Sequence, residues 1–123
     1  MGDVAVAVVA AFFAGMGLLA LARPEQIVER FGIDLGGADA RNEVRAVYGG
    51  FGVAVATVLG VAIGTDGGFR DGVLVTIAVA LGGMATGRLV GVVLERPGVR
   101  SQTSLFLLVE LVLAGLLLLG LTG

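Results

Sequence analysis

The chain has 123 residues, 57% of them hydrophobic and only 15% charged, with a formal net charge of −2. A soluble domain carries about 25% charged residues, and one this small exposes too much surface to hide so apolar a composition. The mean hydropathy of +1.03 agrees, and lipid is the expected solvent. The sequence holds no Cys and no His, which removes disulfides, thiolate chemistry, iron–sulfur clusters, haem ligation and the usual zinc sets. All eight basic residues are Arg, so Schiff-base and P-loop lysine chemistry are excluded too. No basic stripe marks a nucleic-acid surface. The expectation is no cofactor, no metal site and no nucleic-acid partner.

Residues 4–22 form a first uncharged apolar run. Ala20-Leu21-Ala22 resembles a signal cleavage site, but Asp3 stands where a basic flank belongs and the run exceeds a usual signal core, so retention is expected. Pro24 then sits at a first helical turn and Gly32 just past an end, with Ile27, Val28 and Phe31 on one face. That pattern predicts a short helix in the membrane interface. Gly36-Gly37 breaks the chain before a second apolar run over about 41–64 that includes Arg45. A tight turn at 65–68 leads to a third run, about 72–94, containing Arg88. A fourth, about 103–121, contains Glu110. Each run has about the 20 residues that 30 Å of hydrocarbon requires. Asp39, Asp71 and Ser101 or Thr103 are the expected caps of the last three.

No period-2 alternation suggests a barrel, and short loops make consecutive helices antiparallel neighbours. The predicted fold is therefore all-α. It is a single integral membrane domain over 1–123, an antiparallel bundle of four transmembrane helices with a short interfacial helix after the first. Arg23, Arg30, Arg41, Arg45, Arg96 and Arg100 cluster at one side of these spans and Arg70 stands alone at the other. The excess of Arg predicts loops 23–40 and 95–103 in the cytoplasm and both termini outside, in a multi-pass protein of the plasma membrane.

Small residues recur every fourth position: Gly52, Ala56, Gly60 and Gly64; Gly83, Gly87 and Gly91; Ala7, Ala11 and Gly15. Such faces let helices approach closely in lipid. The expectation is packing within the chain, with a homodimer face as the alternative. Gly15-Met16-Gly17-Leu18-Leu19-Ala20 fits a dinucleotide fingerprint, but it lies inside an apolar span and not between a strand and a helix.

Ionisable residues inside a span cost about 2.5–3.5 kcal/mol at its centre, so they are paired, near an edge, or functional. Arg88 lies six residues before the end of its span and Glu110 six after Ser104 at the start of the next, about 9 Å inside the same side of the membrane. This symmetry predicts an Arg88–Glu110 pair. Glu43 and Arg45 enter from that side more shallowly. Two residues apart, they point about 160° away from each other, so only one of them can join the pair. Tyr48 and Thr86 are the candidate hydroxyls. Such a network fixes helix register, forms a polar pocket for an ion, proton or small ligand, or meets a partner.

The segment Ala40-Arg41-Asn42-Glu43-Val44-Arg45-Ala46-Val47-Tyr48-Gly49-Gly50 resembles the signature of a bacterial membrane family of unknown function, domain of unknown function four-three-four-five. Pro24, Phe31-Gly32, Gly87-Arg88-Leu89-Val90-Gly91, Pro97 and Glu110-Leu111 follow the same order, so the similarity covers nearly the whole chain. The resemblance implies a small four-helix membrane protein, and it supports Glu43, Arg45, Tyr48, Arg88 and Glu110 as a motif without assigning them roles. A looser likeness to DoxX-like four-helix proteins implies association with membrane redox complexes. The functional expectation is a non-enzymatic accessory or scaffold protein, acting as a homo-oligomer or with a membrane partner. The alternative is a small carrier using Glu110 or Glu43 as an ion-binding carboxylate.

Overall fold

In the computed structural model, which describes residues 2–122, every regular element is helical. They are α1 (Gly2–Ala22), α2 (Pro24–Val28) running into a 3-10 turn (Glu29–Phe31), α3 (Ala38–Ile63), α4 (Gly67–Glu95) and α5 (Gln102–Thr122). The four longer helices are long and apolar enough to cross a membrane. The chain divides into two compact units. One is Ala7–Val61; the other joins the first turns of α1 to the segment from Ala62 onward.

In the first unit α1 buries Val9, Phe13, Gly17 and Ala20, one residue per turn. Pro24 opens α2, where its missing N–H costs nothing. Gly32 ends the following turn at φ 76°, a left-handed conformation that glycine adopts freely. Val28 packs with Ala20 and Val44, flanked by Ile27, Leu35 and Tyr48. The apolar face predicted for this short helix thus rests on the two long ones.

Helix α3 is not uniformly wound. From Arg45 to Gly50 it widens into a π turn, and the Phe51 N–H reaches back to the Ala46 carbonyl. Backbone angles on both sides remain ordinary right-handed helix. The buried positions record the extra residue: Val44, then Gly49, Gly52, Val55 and Leu59, a first step of five followed by steps of three and four. A regular helix continuing from Val44 would present Tyr48 and Phe51 instead. The π turn thus brings two glycines, and not two aromatic rings, onto the inner face.

In the second unit α4 and α5 form an antiparallel hairpin. Arg70, Leu74, Ala78, Leu81 and Ala85 line the inside of α4, and Glu110, Leu113, Leu117 and Gly120 that of α5. With 29 residues α4 is about 43 Å long, more than the hydrocarbon thickness, so it tilts or projects beyond it. Two of the expected caps are corrected. Gly37 precedes α3 and Asp66 precedes α4, neither with a side-chain cap bond, while Asp39 and Asp71 lie inside their helices. Ser101 does cap α5, its Oγ accepting the Ser104 N–H at 3.1 Å.

Candidate functional site

Arg88 and Glu110 are the next inward positions after the apolar stripes of α4 and α5: Arg88 follows Ala85, and Glu110 precedes Leu113. Arg88 Nε donates to Glu110 Oε1 at 2.7 Å. The Glu110 side chain is 5% exposed and that of Arg88 24%. Phe106 lies one turn from Glu110, and the Arg88 guanidinium stands 5.5 Å from its ring centroid, a cation–π distance. The carboxylate and the ring face thus hold one cation from the same side of α5. Glu110 lies about 12 Å from the start of its helix, well inside the span.

Glu43, Arg45 and Tyr48 belong to the other unit. Arg45 Nε donates to the Leu21 carbonyl at 3.1 Å and its Nη1 to Asn42 Oδ1 at 3.0 Å. The Leu21 carbonyl is among the last of α1, which have no partner within the helix, so the cation caps that C-terminus and meets the negative end of its dipole. Arg45 thus binds a backbone carbonyl and an amide oxygen; the sequence left open whether it or Glu43 would join the Arg88–Glu110 pair. Glu43 is exposed. Tyr48 is half-buried beside the Ala20–Val28–Val44 cluster. Thr86, the other expected hydroxyl, donates to Gly82 O in its own helix at 2.8 Å. The Glu-x-Arg-Ala-x-Tyr-Gly-Gly element thus coincides with the π turn, an element frequent at functional sites.

The small-residue seam is largely relocated. Gly52 is packed as expected: a Cβ there would stand 3.0 Å from Phe13 O and 3.1 Å from Gly17 Cα. Ala56 is half-buried. A Cβ on Gly60, Gly83, Gly87 or Gly91 would meet nothing within 4 Å among the described residues. The close approach uses Gly17 and Gly49 instead. A Cβ on Gly17 would stand 2.8 Å from both Gly49 O and Val53 N, and one on Gly49 2.8 Å from Leu21 Cδ2. A strict four-residue step overshoots a 3.6-residue helix by about 40° each time, so from Gly52 it leaves the inner face, which continues through Val55 and Leu59.

Sequence reasoning missed one buried cation as a site. Arg70, 8% exposed, starts the inner stripe of α4. Its Nη1 lies 2.8 Å from Asp3 Oδ1 and donates to Ala62 O at 3.2 Å, and its Nη2 donates to Gly120 O at 3.2 Å. One guanidinium thus joins the first turn of α1 to the C-terminal carbonyls of α3 and α5, where a cation also meets the negative helix ends. The available signal was the pairing of a lone Arg with Asp3, the only acid in the first turn of α1. Arg70 and Arg88 are separated by about 27 Å along α4, close to one hydrocarbon thickness. Each end of its apolar seam is closed by a neutralised arginine.

The model of a family described as a domain of unknown function, DUF4345, matches residues 2–121. No curated protein and no solved structure matches the chain.

Proposed function

This chain belongs to the DUF4345 family, and from that premise we propose that it is a non-enzymatic accessory or scaffold protein of the bacterial inner membrane, acting through a second copy or a membrane partner. The observation that carries this reading is the closed state of its intramembrane chemistry. Glu110 is buried against Arg88 at 2.7 Å, and Arg70 is consumed by Asp3 and two helix-end carbonyls. Charges bound in this way specify register and do not present a reactive group. Gly83 and Gly87, exposed on α4, would let a partner helix approach closely. A loose likeness to DoxX-like four-helix proteins points to a membrane complex as the setting. In-membrane crosslinking with mass spectrometry at native abundance is expected to return a discrete neighbour or a dimer. A solitary monomer with no crosslinked neighbour would count against the reading.

We place loops 23–40 and 95–103 in the cytoplasm and both termini outside, on the excess of Arg beside those loops. The chain lacks Cys, so single replacements report topology cleanly. Gly36→Cys and Gly98→Cys are expected to resist an impermeant thiol reagent in intact cells, and Gly68→Cys to react with it. The reverse pattern inverts the assignment.

A carrier remains the second reading, because Glu110 is a carboxylate deep within a span. It requires that Glu110→Gln abolish flux in proteoliposomes; unchanged flux removes Glu110 from any transport mechanism.

A further inference from the structure

The turn between α4 and α5 carries two cations that the described chain leaves unused. Arg96 and Arg100 are exposed, and neither has an ion pair or a side-chain hydrogen bond among the described residues. The turn is tight: Ser101 N–H donates to Gly98 O at 2.9 Å, which keeps the two arginines at one end of the hairpin. Glu95 is the nearest carboxylate in sequence, so the turn carries one net positive charge.

The backbone singles out Arg96. It closes α4 at φ 51°, ψ 52°, the left-handed region. Among the described residues it is the only non-glycine with positive φ; Gly32 and Gly67 fill the other two such positions. A side chain there crowds the backbone, whereas glycine does not. The chain has 22 glycines, one of them Gly98 two residues on, yet this position holds arginine. Strain kept where a strain-free residue would serve directs attention to what the side chain does.

The surroundings identify its partner. Val93, Leu94 and Val99 are 66%, 75% and 91% exposed. In a membrane-spanning chain, a turn with such apolar flanks and two free cations sits where hydrocarbon meets headgroups, and the anions concentrated there are phospholipid phosphates. We propose that the Arg96–Arg100 turn binds an anionic phospholipid, with both guanidinium groups on its headgroup phosphate and Val99 among its acyl chains. The net positive charge selects anionic over zwitterionic lipid, and the exposed Val99 and Leu94 select a lipid over a soluble phosphate. The proposal rests on the membrane-spanning reading and is independent of the scaffold role.

The test uses the purified full chain in mild detergent, with native mass spectrometry against phosphatidylglycerol, phosphatidylcholine and inorganic phosphate. The wild type is expected to retain phosphatidylglycerol at least tenfold better than phosphatidylcholine. Each surface arginine contributes about fivefold. Arg96→Gly should thus weaken phosphatidylglycerol binding about fivefold, and Arg96→Gly with Arg100→Gln about thirtyfold. Arg30→Gln, which removes an exposed arginine elsewhere, should change it less than twofold. In phosphatidylcholine, Arg96→Gly should melt no lower than the wild type, because glycine relieves the left-handed strain, so lost binding is not lost folding. Equal phosphatidylglycerol binding by the double variant and the wild type would overturn the proposal. So would displacement of the lipid by millimolar inorganic phosphate, or a lower melting temperature for Arg96→Gly. No partner protein enters the measurement, so its failure leaves the scaffold reading standing.

Discussion

Glu110→Leu is expected to destabilise the protein by about 3 kcal/mol, the low end of the range for breaking a buried ion pair by removing one member. The variant leaves the Arg88 guanidinium without its carboxylate acceptor, and arginine cannot shed its charge. The loss stays at the low end for two reasons. The Phe106 ring face remains beside the cation, and the Arg88 side chain, already 24% exposed, can lean along its apolar stem toward the interface. The double variant Arg88→Met with Glu110→Leu is expected to recover to within about 1 kcal/mol of the wild type or to exceed it, because a packed apolar pair avoids the desolvation cost altogether. Unfolding in mixed micelles, followed by circular dichroism, measures all three proteins. A Glu110→Leu variant as stable as the wild type would mean that the pair does not hold α4 to α5. Should the double variant fold yet lose a measurable transport activity, the pair would belong to mechanism and not to register.

How far the sequence could be read depended on which atoms carried each interaction. The four long helices were legible because lipid demands about 20 apolar residues per crossing, and that demand is written in composition. The meeting of Arg88 with Glu110 was legible because both partners are side chains at matching depth on consecutive antiparallel helices. Arg45 and Arg70 were harder, because their acceptors are largely backbone: Leu21 O for one, Ala62 O and Gly120 O for the other. A carbonyl belongs to every residue, so no residue type flags it. The π turn was illegible for a similar reason. It adds one residue to a helical turn without a distinctive composition, and it shifts the inner face from Tyr48 to Gly49 and from Phe51 to Gly52. A seam drawn at strict four-residue spacing from Gly52 drifts off the inner face and reaches Gly60, where an added Cβ would meet nothing within 4 Å among the described residues. In a glycine-rich chain such spacings arise without packing. Only the distance to a neighbouring backbone separates Gly17 from Gly83.

That distance makes Gly17 the most sensitive position in the α1–α3 crossing. Its added Cβ would stand 2.8 Å from Gly49 O and Val53 N, and these are backbone atoms that cannot rotate aside. Gly17→Leu is therefore expected to force the two helices apart and cost about 3 kcal/mol, the upper end for overpacking a close contact. Gly17→Ala should cost about 1 kcal/mol, because the same clash is partly offset by about 0.8–1 kcal/mol of better helix propensity. Gly49→Ala meets Leu21 Cδ2 and Cγ at 2.8 and 2.9 Å and the Leu21 backbone N only at 3.3 Å; a side chain yields more readily than backbone, so a smaller loss is expected there. Gly60→Ala and Gly83→Ala enter open space and should be neutral or stabilising by up to about 1 kcal/mol. Thermal melts of the five variants in one detergent order these effects. If Gly17→Leu matched Gly83→Ala, the helices would not touch at Gly17, and the π turn would lose its reason for bringing Gly49 and Gly52 to that face. If the order holds, the signature segment is a packing device first: its extra residue brings the glycines to α1 while Arg45 stays on the Leu21 carbonyl at the end of the same helix.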